Sequence, residues 1–355
     1  MPALIVAGAG MAGLCAAAQA RAHGAEVVVL EKGDRAGGSM LWSSGVIWRH
    51  RRWEDFRREC PAGDPVLQRA LWEELDEGLD WLESMGARVT ERATGNPLTL
   101  GRRFDPRSLT DALVRAAGDV RLKTALTELP AGAVVLATGG FAAGRDLVRE
   151  HVTPWADDLV VRANPWSTGD GLRLGLHAGG QLTGHMHEFY GRALPAPPAR
   201  IEPGEFVGLA QLYAHHAEVV GARGERYEAA TWSEIDVVQW LARQPYARGT
   251  FRVREHALSQ RVRNLSVGEM IERAEQAGAV VGRENATVAV EVVAGITTTL
   301  GGLHSDANGR VAAGVYAAGA DVGGVANGGY ASGLAAALVF GRRAAIGAIS
   351  DQVDP

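Results

Sequence analysis

Three glycines in "GAGMAG", Gly8, Gly10 and Gly13, and an acid 18 residues past the last of them, Glu31, have the types and spacing that hold a dinucleotide. The first glycine permits a tight turn, the second lets a pyrophosphate approach the backbone, and the third lets a helix pack closely on a strand. A helix opening there offers free N–H groups and a partial positive charge to the phosphates. Glu31 closes the next apolar run, where it can accept from a ribose hydroxyl. A second centre lies near the other end, where Tyr330 stands between Gly328-Gly329 and the small apolar run "ASGLAAALVFG". A phenol at the mouth of a helix has a stabilised phenolate, so Tyr330 reads as a catalytic or substrate-orienting group.

Two further groups could move a proton, Tyr190 and His187 in "GHMHEFYGR". His185 and His187 also have the spacing of a metal pair, but no third ligand is legible and no metal is expected. Trp42, beside a glycine turn, is expected in a pocket.

The elements that must position these groups follow from the pattern. "ALIVA" (3–7), the glycine turn, the helical "LCAAAQARAHG" and "EVVVLEK" (26–32) make a βαβ unit. Helices are expected over 64–86 and over 105–118, the latter opened by a capping Asp or Ser. Two short strands, "DVRLKTAL" and "GAVVLATGG" (132–140), run into more glycine. From about 184 to 285 the chain turns to histidines, prolines and aromatics with few strand signals, which marks an inserted cap. Glycine and β texture return after it. The stretch "WRHRRWEDFRRE" (48–59) reads as a solvated helix face.

The 355 residues are 46% hydrophobic, enough for a sizeable core, and a net charge of −5 gives no basic field for nucleic acid. Two cysteines, Cys15 and Cys60, build neither a disulfide framework nor a zinc site, and a cytoplasmic location fits. The apolar start lacks the basic flank of a signal peptide, and no uninterrupted apolar run reaches membrane-spanning length.

After the ribose acid come Gly37, Gly38 and Ser39, then "ATGG" (137–140), "TGDG", "YAAGAD" (316–321) and a terminal "FGR.A". This ordered set resembles the flavoproteins of the fumarate reductase and succinate dehydrogenase superfamily, especially the 3-ketosteroid Δ1-dehydrogenase branch, over nearly the whole chain. The resemblance implies non-covalent FAD. It assigns Gly8, Gly10, Gly13, Glu31 and Lys32 to the adenosine and pyrophosphate side, and Gly37, Gly38, Ser39, Ser43 and Gly45 to the flavin-side turn. Ala137, Thr138, Gly139, Asp170 and Gly319 follow from the later glycine motifs. Asp321 matches the acid that holds the ribityl chain, and Ser332, Gly333 and Leu334 match the start of the helix under the flavin. Where fumarate reductases carry a histidine and an arginine this chain has Thr298 and Trp232, so a dicarboxylate is disfavoured.

The expected fold is therefore α/β: a discontinuous glutathione-reductase-like (Rossmann-type) FAD-binding domain at 1–183 and 286–355, with an α+β cap at 184–285 and the active site at their interface. The expected activity is α,β-desaturation or ene-reduction of a small apolar carbonyl compound by hydride exchange with flavin N5. With one nucleotide fingerprint, electrons would pass to or from an external partner. A flavoprotein oxidase acting on a C–N or C–O bond, a fumarate-reductase-like enzyme and a flavin-binding protein without catalysis are the alternatives.

Overall fold

In the computed structural model, residues 4–228 and 234–353 are described. They form two compact units. The first comprises Met1–Gly144, Asn164–Glu188 and Thr298–Pro355, and the second Arg145–Ala163 and Phe189–Thr297. The second unit thus takes in 145–163 and 286–297 beyond the stretch read as a cap, because Val160–Val161 pairs in parallel with Gly295 and Ile296 of the long strand Thr287–Thr299.

The first unit is built on a six-stranded sheet in the order Arg310–Ala312, Val315–Ala317, Val134–Leu136, Leu4–Ala7, Val27–Leu30, Asp119–Arg121. All its pairings are parallel except the first, an edge hairpin. Continuous apolar runs such as "LIVA" and "VVL" suit strands covered on both faces. Helix Met11–Ala22 is buried from Met11 to Ala20, and its small residues let the last helix, Gly333–Val353, come close. A side-chain carbon at Gly341 would lie 2.4 Å from the Ala12 carbonyl oxygen, so these helices touch backbone to backbone. By length and mean hydropathy (1.3) the last helix could cross a membrane, yet half of that stretch is buried in the fold. Its Arg342 binds Gln19 and Glu77, and its Arg343 binds Glu74 and Asn308.

Helix Pro65–Ser84 is capped by Asp64, and helix Pro106–Ala117 by Asp105, which accepts from the Ser108 N–H at 2.8 Å. Strand pairing ends at Arg121, well short of the run read as "DVRLKTAL". The stretch 48–59 is not one solvated helix face. Val46–His50 is a strand paired with Thr99–Phe104, and only Trp53–Glu59 is helical.

The second unit holds more strand than its sequence suggested. Phe189–Pro195, Ala217–Gly221, Arg248–Arg254 and Val281–Glu284 join Thr287–Thr299 in one sheet. The signal was masked by alternation: in "RGTFRVR" the residues Gly249, Phe251 and Val253 are buried while the intervening arginines are not. Helices Glu234–Ala242 and Val267–Gln276 complete the unit, the latter opened by a Ser266–Glu269 capping box.

His50 is buried between Phe56, stacked at 5.0 Å, and Trp48 at 5.3 Å, and its Nδ1 has no hydrogen-bond partner among the described residues. Burial lowers its pKa from 6.5 to about 4. The unfolded chain therefore takes up a proton below pH 6.5 that the folded chain refuses down to about 4, and stability falls through that window by about 3 kcal/mol. His50→Phe is expected to keep more of its neutral-pH stability at pH 4.5 than the parent in urea unfolding. Parallel losses in both proteins would contradict this.

Candidate active site

The glycine turn after strand Leu4–Ala7 is forced by its neighbours. Gly8 has φ +106°, and a side-chain carbon there would lie 2.2 Å from the Ala137 carbonyl oxygen. At Gly13 it would lie 1.9 Å from the Gly8 carbonyl oxygen, which is the close helix–strand packing expected of the third glycine. At Gly10 it would meet no described heavy atom within 4 Å. Gly10 is also the N-cap of the first helix, with no side-chain cap among the described residues and no acid in the first turn. Open space in front of uncapped N–H groups suits a pyrophosphate.

Glu31 is buried and accepts from the Ala9 N–H through Oε2 and from the Gly33 N–H through Oε1, both at 2.7 Å. Its carboxylate thus shapes the turn it was expected to serve. Gly37 donates to the Ala9 carbonyl at 2.8 Å, and Gly38, at φ +52°, lies against Gly10. Ser39 Oγ accepts from the Asn164 N–H. Ser43 and Gly45 form a local turn: Ser43 Oγ donates to the Met40 carbonyl and accepts from the Gly45 N–H. Lys32 and Asp170 pair at 2.6 Å, with Thr168 between them. Trp42 is partly exposed, with the Arg35 guanidinium 5.5 Å from its ring.

The later glycine motifs meet at Asp321. This residue is 1% exposed, and its carboxylate accepts from the Thr138 N–H and hydroxyl and from the Gly140 N–H at 2.9 Å. Burial raises its pKa while those donors work in the opposite sense. Ala137 continues the central strand by donating to the Ala7 carbonyl, and Gly139 turns away at φ +93°. Gly319 packs against the first and last helices: a side-chain carbon there would be 2.8 Å from Ala12 Cβ and 3.8 Å from Ala337 Cβ. Ser332 Oγ accepts from the Ala335 N–H at the start of the last helix, followed by Gly333, which is open in the same sense as Gly10, and by Leu334.

Among the expected proton-transfer residues, Tyr330 belongs to the first unit, its ring edge-on to Trp48 at 5.5 Å and its backbone N–H facing the Cys60 thiol. Gly329 precedes it because a side-chain carbon there would lie 1.8 Å from the Glu59 carbonyl oxygen, so that glycine answers to protein packing. His187 is also in the first unit, beside His185 and Glu188. Tyr190 lies in the second unit, and Trp232 falls outside the described residues.

Tyr190 brings with it groups that were not singled out in the sequence. The Arg192 guanidinium lies 5.1 Å from its ring centre, and Arg162 and Arg263 act on it as further positive charges. Burial works to raise the phenol's pKa, but the three arginines outweigh it and bring the value to about 7. Arg192 is itself buried, and Arg162 is held by the Thr297 hydroxyl at 2.8 Å. Glu234 is the nearby counter-charge, its pKa raised by burial. Arg192 stands two residues from Tyr190 on one strand face, a period-2 pairing readable in "YGR"; Arg162 and Arg263 arrive from distant segments.

A family model described as the FAD binding domain matches residues 3–127 and 102–334. The chain belongs to this FAD-binding family. FAD is its cofactor, and the donors and open glycines of the first unit fit that group. The fumarate reductase (cytochrome) of Shewanella frigidimarina is 24% identical over 276 residues, 63% of this chain and 47% of that protein. The chain thus spans about half the length of such curated relatives. The open form of a flavocytochrome c3 fumarate reductase matches with a TM-score of 0.74 at 20% identity, covering 99% of this chain and 78% of that one. The 3-ketosteroid-delta4-(5alpha)-dehydrogenase from Rhodococcus jostii RHA1 matches with a TM-score of 0.69 at 18% identity, covering 97% and 96%. These likenesses show a common mixed α/β fold with an FAD-binding domain.

Glu31→Ala would leave the N–H groups of Ala9 and Gly33 without their carboxylate partner and remove the acceptor for a ribose hydroxyl. A charge-assisted hydrogen bond contributes about 1.5 to 3 kcal/mol, so FAD affinity is expected to fall roughly tenfold or more, with a lower Tm for the apoprotein. Flavin retention through gel filtration, equal to the parent's, would show Glu31 to be dispensable to the cofactor.

Proposed function

We propose that this chain is an FAD-dependent oxidoreductase that adds or removes hydrogen across the carbon–carbon bond next to a carbonyl, with Tyr190 as the proton-transfer group. The observation that carries the reading is the Tyr190 phenol set among Arg192, Arg162 and Arg263. On this reading the first unit is a glutathione-reductase-like FAD domain and the second is the inserted domain bearing substrate-side groups. Relatives named for fumarate reduction and a fold shared with a 3-ketosteroid dehydrogenase support chemistry at a C–C bond.

Bound FAD supplies the hydride acceptor or donor for the carbon β to the carbonyl. The remaining work falls to the protein. A phenol with a pKa near 7 is about half ionised at neutral pH, which suits it to take or give the α proton. The arginines that depress this pKa also oppose build-up of negative charge least, so they stabilise an enolate-like carbonyl oxygen as it develops. Glu234 balances their charge from within the same unit. Tyr330, seated on Trp48, serves as a substrate-orienting aromatic. Electrons pass to or from an external partner. The same arginine group favours a second reading, in which the substrate is an α,β-unsaturated carboxylate held by Arg162 or Arg192. Reoxidation of the photoreduced holoprotein by cyclic enones against unsaturated carboxylates separates the two.

Tyr190→Phe is expected to retain FAD and to slow substrate-dependent flavin bleaching or reoxidation by roughly 10²- to 10⁴-fold. In the parent the rate should change around pH 7. It rises with pH if the phenolate abstracts a proton in desaturation, and falls if the phenol donates one in reduction. A flat profile, or a Phe variant as fast as the parent, would remove Tyr190 from the chemistry.

A further inference from the structure

In the first unit the turn 184–188 supplies the third metal ligand that the sequence did not reveal. His185, His187 and Glu188 each present one donor atom, and those atoms lie within 4.8 Å of one another. His185 Nδ1 is 3.2 Å from Glu188 Oε1, and the two imidazole rings are 5.9 Å apart. The chain brings them together by holding His185 at φ +57° and closing the turn with a hydrogen bond from the Glu188 N–H to the His185 carbonyl.

Glu188 is oriented from the other side. It is buried, and its Oε2 accepts from Asn327 Nδ2 at 2.9 Å and from the Gly328 N–H at 2.8 Å. Those bonds fix one carboxylate oxygen and leave Oε1 directed at the histidines. Asn327 is itself 1% exposed, so this support is rigid, whereas both histidines are exposed and open to an entering ion.

We propose that His185, His187 and Glu188 bind a divalent transition-metal ion of the zinc class. Two imidazoles and one carboxylate are a borderline nitrogen and oxygen set that suits Zn²⁺, while Mg²⁺ and Ca²⁺ prefer all-oxygen shells. Three protein ligands leave the fourth tetrahedral position to water. Asn327 plays the outer-shell part, holding the ligating carboxylate in place. An ion here would tie His185 and His187 to the carboxylate that already holds the 327–328 turn preceding Tyr330. The proposal is independent of the reaction assigned above.

The test is calorimetric titration of Zn²⁺ into tag-free, chelator-stripped, FAD-loaded protein in a non-coordinating buffer, with Mg²⁺ as control. The expected result is one equivalent of Zn²⁺ bound at micromolar affinity or tighter, with no Mg²⁺ uptake. Asn327→Ala is expected to weaken Zn²⁺ binding by about 10- to 100-fold, and His187→Ala by at least as much. Because His187 is exposed, FAD content and Tm of His187→Ala should match the parent, which separates loss of the site from loss of the fold. Failure of the parent to take up Zn²⁺, or uptake unchanged in His187→Ala, would overturn the proposal and leave a hydrogen-bonded His185–Glu188 pair.

Discussion

The cofactor side of this molecule depends on carboxylates sunk among backbone N–H groups. Asp321 is almost fully buried, and instead of a cation it finds the N–H groups of Thr138 and Gly140 and the Thr138 hydroxyl. Those donors sit on the turn that leaves strand Val134–Leu136, whereas Asp321 sits on the turn that leaves Val315–Ala317. One side chain therefore joins two turns far apart in sequence. Gly171 must be glycine for the same reason, since a side-chain carbon there would lie 2.5 Å from Asp321 Oδ2. Glu31 does the equivalent job for the first turn through Ala9 and Gly33. An unpaired buried anion is costly, so each carboxylate specifies the turn that satisfies it. The first turn leaves the helix N-terminus at Gly10 open for anionic groups.

Much of this was legible because the constraints are local. The glycine spacing and Asp105 as a cap act within a few residues of their own position, and Glu31 closes the same short βαβ unit whose turn it binds, relations that sequence displays directly. The role of Asp321 was half legible. Its type and motif marked it, but its partners lie 181 and 183 residues away, and no local pattern states that they meet. The second unit was read least well. Its strand Arg248–Arg254 alternates arginine with apolar residues, which blurs the hydrophobic run, and the three arginines around Tyr190 arrive from three segments. Glu188 escaped notice as a ligand because a backbone bend at His185 is what turns the two side chains together.

The second unit uses the opposite electrostatic device. In the second unit positive charge is concentrated around one phenol, which shifts its protonation into the neutral range. In the first unit negative charge is buried and satisfied by backbone donors, leaving the helix N-terminus at Gly10 free.

The central claim is that buried carboxylates preorganise the FAD cradle, and Asp321→Asn tests it most directly. The amide keeps the size of the side chain but has one acceptor oxygen where the carboxylate has two, and it removes the charge. The account expects FAD to bind roughly tenfold or more weakly, with a lower Tm for the apoprotein, since at least one charge-assisted bond of about 1.5 to 3 kcal/mol is lost. An Asn variant that binds FAD with the parent's dissociation constant would contradict it.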